Sequence, residues 1–144
     1  MEEQNFKNHA KLVAPFHFFA IPLLFFTFIG SLVNLYQSMG NQDRIYSAAL
    51  ITTLSLGAVM GALFGRIFAL KAQDRVIRLE ENLRHQTLAG KPLDSRLRVG
   101  QIVGLRFASD AEFVALAAQA ASKDMSQKDI KQAIRNWRVD NCRL

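Results

Sequence analysis

The side chains able to do covalent or coordination chemistry in this chain are few: His9, His17 and His85, and a single Cys142. Histidine and cysteine hold zinc, haem or an activated nucleophile only where their spacing gathers several of them at one place. On a helix turning about 100° per residue, His9 and His17 fall about 80° away from a shared face. His85 lies far along the chain, and Cys142 has no second cysteine to pair with. No glycine-rich phosphate loop and no nucleophile elbow occurs. The expectation is a protein that is not an enzyme, with no catalytic residue, no metal and no cofactor. His17 is the exception to keep in view, because an ionisable group at the edge of an apolar run is a functional candidate. Its use would be that of an electron carrier.

The elements that must position these residues are dominated by two apolar runs. Leu12 to Gln42 carries no Asp, Glu, Lys or Arg over 31 residues, and Ile45 to Gly65 carries none over 21. About 20 helical residues cross the roughly 30 Å hydrocarbon core of a bilayer. Spans are therefore expected at 15–36 and 46–66, joined by the polar stretch Gln37 to Arg44 into a transmembrane helical hairpin. The first run is too long for the apolar segment of a cleavable signal peptide and is followed by a second span, so it reads as a retained anchor. Lys7 and Lys11 precede the first span, Arg44 alone lies between the two, and Arg66, Lys71, Arg75, Arg78 and Arg84 follow the second. Basic residues stay on the cytoplasmic side. This distribution predicts a multi-pass protein of the cytoplasmic (inner) membrane with both termini cytoplasmic. Tyr36 and Tyr46 then bracket the outer loop at headgroup depth. No acid or lysine lies inside either span, which argues against a proton or ion path.

Within the first span Pro22 removes a backbone bond and crowds the carbonyl of Phe18, predicting a bend. Asn34, Thr27, Thr52, Thr53 and Ser55 are candidates for hydrogen bonds across the hairpin. The second span carries Ala49, Thr53, Gly57, Gly61 and Gly65, each four residues from the next, a stripe of small or β-branched side chains that another backbone can approach closely. The stripe has three candidate occupants: the first span of the same chain, a second copy, or a partner subunit.

The second span is expected to continue as one helix through 67–89 to the breaker Gly90-Lys91-Pro92. Asp74 with Arg78, Glu80 with Arg84 and Glu81 with His85 form i,i+4 pairs suited to an exposed helix. Phe68, Val76, Leu79 and Leu83 give a strip wide enough for one partner helix. The remaining 93–144 reads as a basic module of about three short helices. Asp94 or Ser95 starts the first, a capping box Ser109-Asp110-Ala111-Glu112 the second, and Ser126-Gln127-Lys128-Asp129 the third. From Arg66 onward 15 Lys and Arg stand against 9 Asp and Glu, which accounts for the whole net charge of +6. Such dispersed positive charge beside a membrane predicts contact with anionic lipid or a partner, through Arg66, Lys71, Arg75, Arg78, Trp137 and Arg138, and no nucleic-acid site.

Glu3-Gln4-Asn5-Phe6-Lys7-Asn8-His9 with Phe16-His17-Phe18, Leu105-Arg106-Phe107-Ala108-Ser109-Asp110, and Lys128-Asp129-Ile130-Lys131 running to Asn136-Trp137-Arg138 resemble a family of small two-span bacterial membrane proteins catalogued as a domain of unknown function. Val139 departs from the proline associated with that family after the tryptophan-arginine pair. The resemblance implies an all-α membrane protein with cytoplasmic termini and a helical tail, and carries no activity. The expected function is that of a small accessory or structural subunit of a larger cytoplasmic-membrane complex, its partners being lipid and either other subunits or itself. The alternative is a self-associating scaffold or tether that binds anionic lipid or a soluble partner through the basic module.

Overall fold

The computed structural model describes residues 5, 6 and 13–140. Lys7, His9, Lys11 and Cys142 lie outside the described residues, as does most of the expected N-terminal segment 1–14. The chain is 77% helix with no strand among the described residues. A π-helical turn, Pro15–Ala20, leads into α1 (Ile21–Gln37), followed by α2 (Gln42–Ala89), α3 (Val99–Leu105), α4 (Asp110–Lys123) and α5 (Gln127–Ala133). Two compact units divide the chain, Leu12–Ala69 and the part from Leu70 onward, and α2 contributes residues to both.

In the first unit the π-helical turn ends just before Pro22, which stands at the start of α1. The Ile21 N–H reaches back to the carbonyl of Phe16. A turn widened in this way draws the Phe18 carbonyl away from the proline ring, which has no N–H to offer it. Ser38 closes α1 by donating its hydroxyl to the Asn34 carbonyl at 2.8 Å. Gly40 then takes φ +90°, a left-handed conformation that suits glycine. Asn41 starts α2: its Oδ1 accepts from the Asp43 N–H at 3.1 Å, the usual way a short polar side chain satisfies the first turn of a helix. Across the two helices Ser31 and Ser55 share a hydrogen bond of 2.9 Å, and Thr52 Oγ1 donates to the Ser31 carbonyl at 3.1 Å. Of the polar residues expected to bond across, Thr52 and Ser55 do so, with Ser31 as the partner. Thr53 instead turns back on the Ala49 carbonyl at 2.9 Å.

The second unit has the hydrophobic core. Leu97, Ile102 and Leu105 from α3 and its approach, Phe107 and Ala108 from the following turn, Phe113, Leu116, Ala117 and Ala120 from α4, and Ile130 and Ile134 from α5 form one buried cluster. Gly104 lets α3 approach α5 closely: a Cβ there would stand 3.3 Å from the Gln127 carbonyl and 3.4 Å from Ile130 Cγ2. An isolated antiparallel bridge, Ala108 to Trp137, ties the tail back, with Arg138 N–H donating to the Phe107 carbonyl at 2.7 Å.

Three local expectations need correction. The first short helix begins at Val99, four residues after Ser95, because Asp94 instead folds a turn with Arg96 and Leu97. The direct hydrogen bond from Arg96 holds the exposed Asp94 carboxyl down, to about 2. No capping box forms at Ser109. Its hydroxyl is buried without a hydrogen-bond partner, while Glu112 accepts from the backbone N–H groups of Arg135 and Asn136 at 3.2 and 3.0 Å. The box at Ser126 is present, with Asp129 N–H donating to Ser126 Oγ at 3.1 Å and Ser126 Oγ donating to Asp129 at 2.6 Å.

The third correction concerns α2 beyond Leu70, where the expected solvated i,i+4 pairs are not the ones made. Ile77, Glu81 and His85, four residues apart on one face, are all buried. Val76, Leu79 and Leu83 are 52, 71 and 66% exposed. The helix therefore turns a largely polar face inward and an apolar one outward.

Candidate interaction surfaces

The inward polar face is built around Arg84. Its guanidinium meets Glu81 at 2.9 Å and Asp110 at 2.6 Å, donates to the Ala108 carbonyl at 2.7 Å, and lies 4.3 Å from the centre of the Phe113 ring. Five donors in a planar fork allow one arginine to serve all of these. Arg138 adds a second, longer contact to Glu81 at 3.8 Å, and Arg106 pairs with Asp140 at 3.1 Å. His85 Nδ1 donates to the Lys91 carbonyl at 2.7 Å, and its ring stands edge-on to Phe113. Glu81, Arg84, Arg106, Asp110 and Arg138 line a cleft of about 700 Å³ that also takes in Val76, Glu80 and Asp140. The pairs Arg84–Glu81, Arg84–Asp110, Arg106–Asp140 and Arg138–Glu81 fasten helix α2 to the turn before α4 and close the tail on it. The sequence signal for it was weak: Arg84 and Asp110 are 26 residues apart, and a pair at that distance leaves no periodic trace.

The predicted packing stripe lies on the other side of the apolar half of α2 from its bonds to α1. Ala48, Thr52 and Ser55 make or border the contact with α1, and Ala48 and Ser55 are buried. Gly57, Gly61 and Gly65 are exposed, and a Cβ placed on any of them would meet nothing within 4 Å. Ala49 is half-buried and Thr53 exposed. Of the three candidate occupants, the chain's own first helix is therefore not the one on the glycines.

The predicted lipid or partner contacts separate into two groups. Lys71, Arg75 and Arg78 are exposed along α2. Arg75 and Arg78, with Leu79 and Asn82, edge a groove of about 540 Å³ against Leu93 and Leu97. Arg66, half-buried, stands 6.0 Å from the Phe16 ring. Trp137 and Arg138 belong to the tail: Trp137 is half-buried against Phe107, ring centres 5.2 Å apart, and Arg138 faces Glu81. His17 Nδ1 donates to the Val13 carbonyl at 3.0 Å and its ring lies edge-on to Phe16. Among the described residues no group of three or more His, Cys, Asp and Glu is arranged to hold a metal ion.

Compared with known proteins, residues 1–144 match a family described as a family of unknown function (DUF6526). No curated protein and no solved structure matches.

Proposed function

The chain belongs to this family of unknown function, so its role has to be read from its own surfaces, and we propose that it is a non-enzymatic integral membrane protein, an accessory subunit of a larger cytoplasmic-membrane complex. The observation that carries this reading is apolar surface with no cover inside the chain. Pro15–Gln37 and α2 are both long and apolar enough to cross a bilayer, and only 6% and 11% of their apolar windows are buried. The core helix of a water-soluble protein would be mostly covered. Phe18, Phe19, Leu23, Phe25 and Phe26 are each more than half exposed on the first helix alone. At roughly 1.5–3 kcal/mol for each fully buried large apolar side chain, leaving both helices in water forgoes on the order of 10 kcal/mol or more. That is comparable to the whole net stability of a typical domain. Lipid removes the conflict, and the two helices then form a hairpin with both termini in the cytoplasm, the side favoured by Arg66, Lys71, Arg75 and Arg78.

In lipid the uncovered Gly57, Gly61 and Gly65 become the point of assembly, since close backbone approach supplies the packing that hydrophobicity cannot supply between helices there. The partner is a transmembrane helix of another subunit. Gly61→Leu would fill the stripe without disturbing the Ser31–Ser55 contact on the opposite side. On native gels of mild-detergent extracts, wild type is expected in a band well above its own mass and Gly61→Leu in a faster one. An unchanged band for Gly61→Leu would remove the stripe from the assembly.

A second reading is favoured by the exposed Lys71, Arg75 and Arg78: a self-associating scaffold or tether acting through anionic lipid or a soluble partner. It predicts binding of the basic segment to anionic vesicles that weakens as salt rises. Binding indifferent to salt would count against it.

A further inference from the structure

We propose that the cytoplasmic half of α2 is a parallel dimerisation seam whose occupant is the same helix of a second copy of this chain. Val76, Leu79 and Leu83 are spaced by three and four residues, the interval that brings side chains to one seam of a two-stranded coiled coil. They are also 52, 71 and 66% exposed, with Val76 at the rim of the cleft that holds Ile77 and Glu81 and Leu79 at the rim of the groove against Leu93 and Leu97. If Val76 and Leu83 are a positions, Leu79 is the d position between them. A β-branched residue at a with leucine at d is the combination that favours two parallel strands. In sequence the same register runs back through Ala72 and Ala69 to Gly65.

The charges beside the seam identify the partner. Arg75 falls at g and Glu80 at e, five residues on, and both are exposed. In a parallel pair the g residue of one helix faces the e residue of the next heptad on the other, so Arg75 meets the Glu80 of the second copy twice by the two-fold symmetry. A seam that is apolar at its centre and charge-complementary to itself at its edges fits a second copy better than an unrelated helix. The parallel sense rests on the proposed membrane insertion, which sets both copies the same way round and confines them to one plane. That confinement raises their effective concentration enough for two heptads to suffice.

The test is cysteine cross-linking in native membranes of the full chain carrying Cys142→Ser. Leu79→Cys at the seam is expected to oxidise to a disulfide-linked species at twice the chain's 16.2 kDa. Arg78→Cys, on the helix but off the seam, is expected to give at least tenfold less. Arg75→Glu and Glu80→Arg each lower the Leu79→Cys yield severalfold, and the two together restore it, a rescue that a folding defect would not produce. A membrane-bound protein with no Leu79→Cys dimer, an equal yield at 78, an adduct of some other mass, or no rescue by the double reversal overturns the pairing alone. Recovery of the protein in the soluble fraction would overturn the membrane reading and the parallel register with it.

Discussion

At the scale of single residues, the consequential side chain is Arg84. The Glu81 side chain is 7% exposed, so removing Arg84 leaves this buried carboxylate only the longer Arg138 contact at 3.8 Å, and breaking a buried pair costs up to about 3–5 kcal/mol. Arg84→Met is expected to destabilise the C-terminal unit by that order, read by chemical unfolding followed through Trp137, the only tryptophan. Asp110 is 67% exposed, so Asp110→Asn should cost under about 1 kcal/mol. Equal losses for the two would contradict the assignment of Arg84 as the centre. Asp94 gives a pH prediction. Its folded value of about 2 lies below the ordinary 3.8, so any stabilisation it brings is complete above the ordinary value and is lost as pH falls through about 2. An NMR titration of its carboxyl checks this. Arg96→Gln should return the midpoint toward 3.8, because the Arg96 hydrogen bond is the main cause of the shift.

At the scale of elements, the two helix starts that look alike in sequence are expected to respond differently. Ser126→Ala should cost about 1 kcal/mol, the usual value of a lost N-cap, because Ser126 accepts the Asp129 N–H. Ser109→Ala should be neutral to stabilising, since the hydroxyl it removes is buried without a partner and an unpaired buried polar group costs free energy. Thermal unfolding of the two variants separates them. The contrast also marks what the sequence makes legible. Long charge-free runs and the breaker at Gly90 declare α1 and α2, because length and apolarity act locally. The glycine stripe is visible too, as a four-residue spacing on one helix. The destination of Glu112, which serves backbone 23 and 24 residues away, is not visible. Nor is the inward face of α2: Glu80 with Arg84 and Glu81 with His85 carry the pattern of solvated pairs, and only the folded position of Asp110 and Lys91 turns Arg84 and His85 inward. Apolar Val76, Leu79 and Leu83 are left outside for the same reason.

At the scale of the whole molecule, one unit has a buried core of its own and the other leaves most of its apolar surface without cover from the chain. Such a division suits a protein anchored in lipid that completes its packing with other chains. Carbonate washing is expected to leave the protein in the membrane pellet, and release into the wash would contradict insertion. The claim on which the account most depends is that the protein works as part of a larger assembly. It is tested by purifying the tagged full-length chain from its native membrane in mild detergent, sizing it and identifying what accompanies it by mass spectrometry. Recovery in a large complex with stoichiometric partner subunits is the predicted result; recovery of this chain alone, as a monomer or as a dimer of itself, would contradict it.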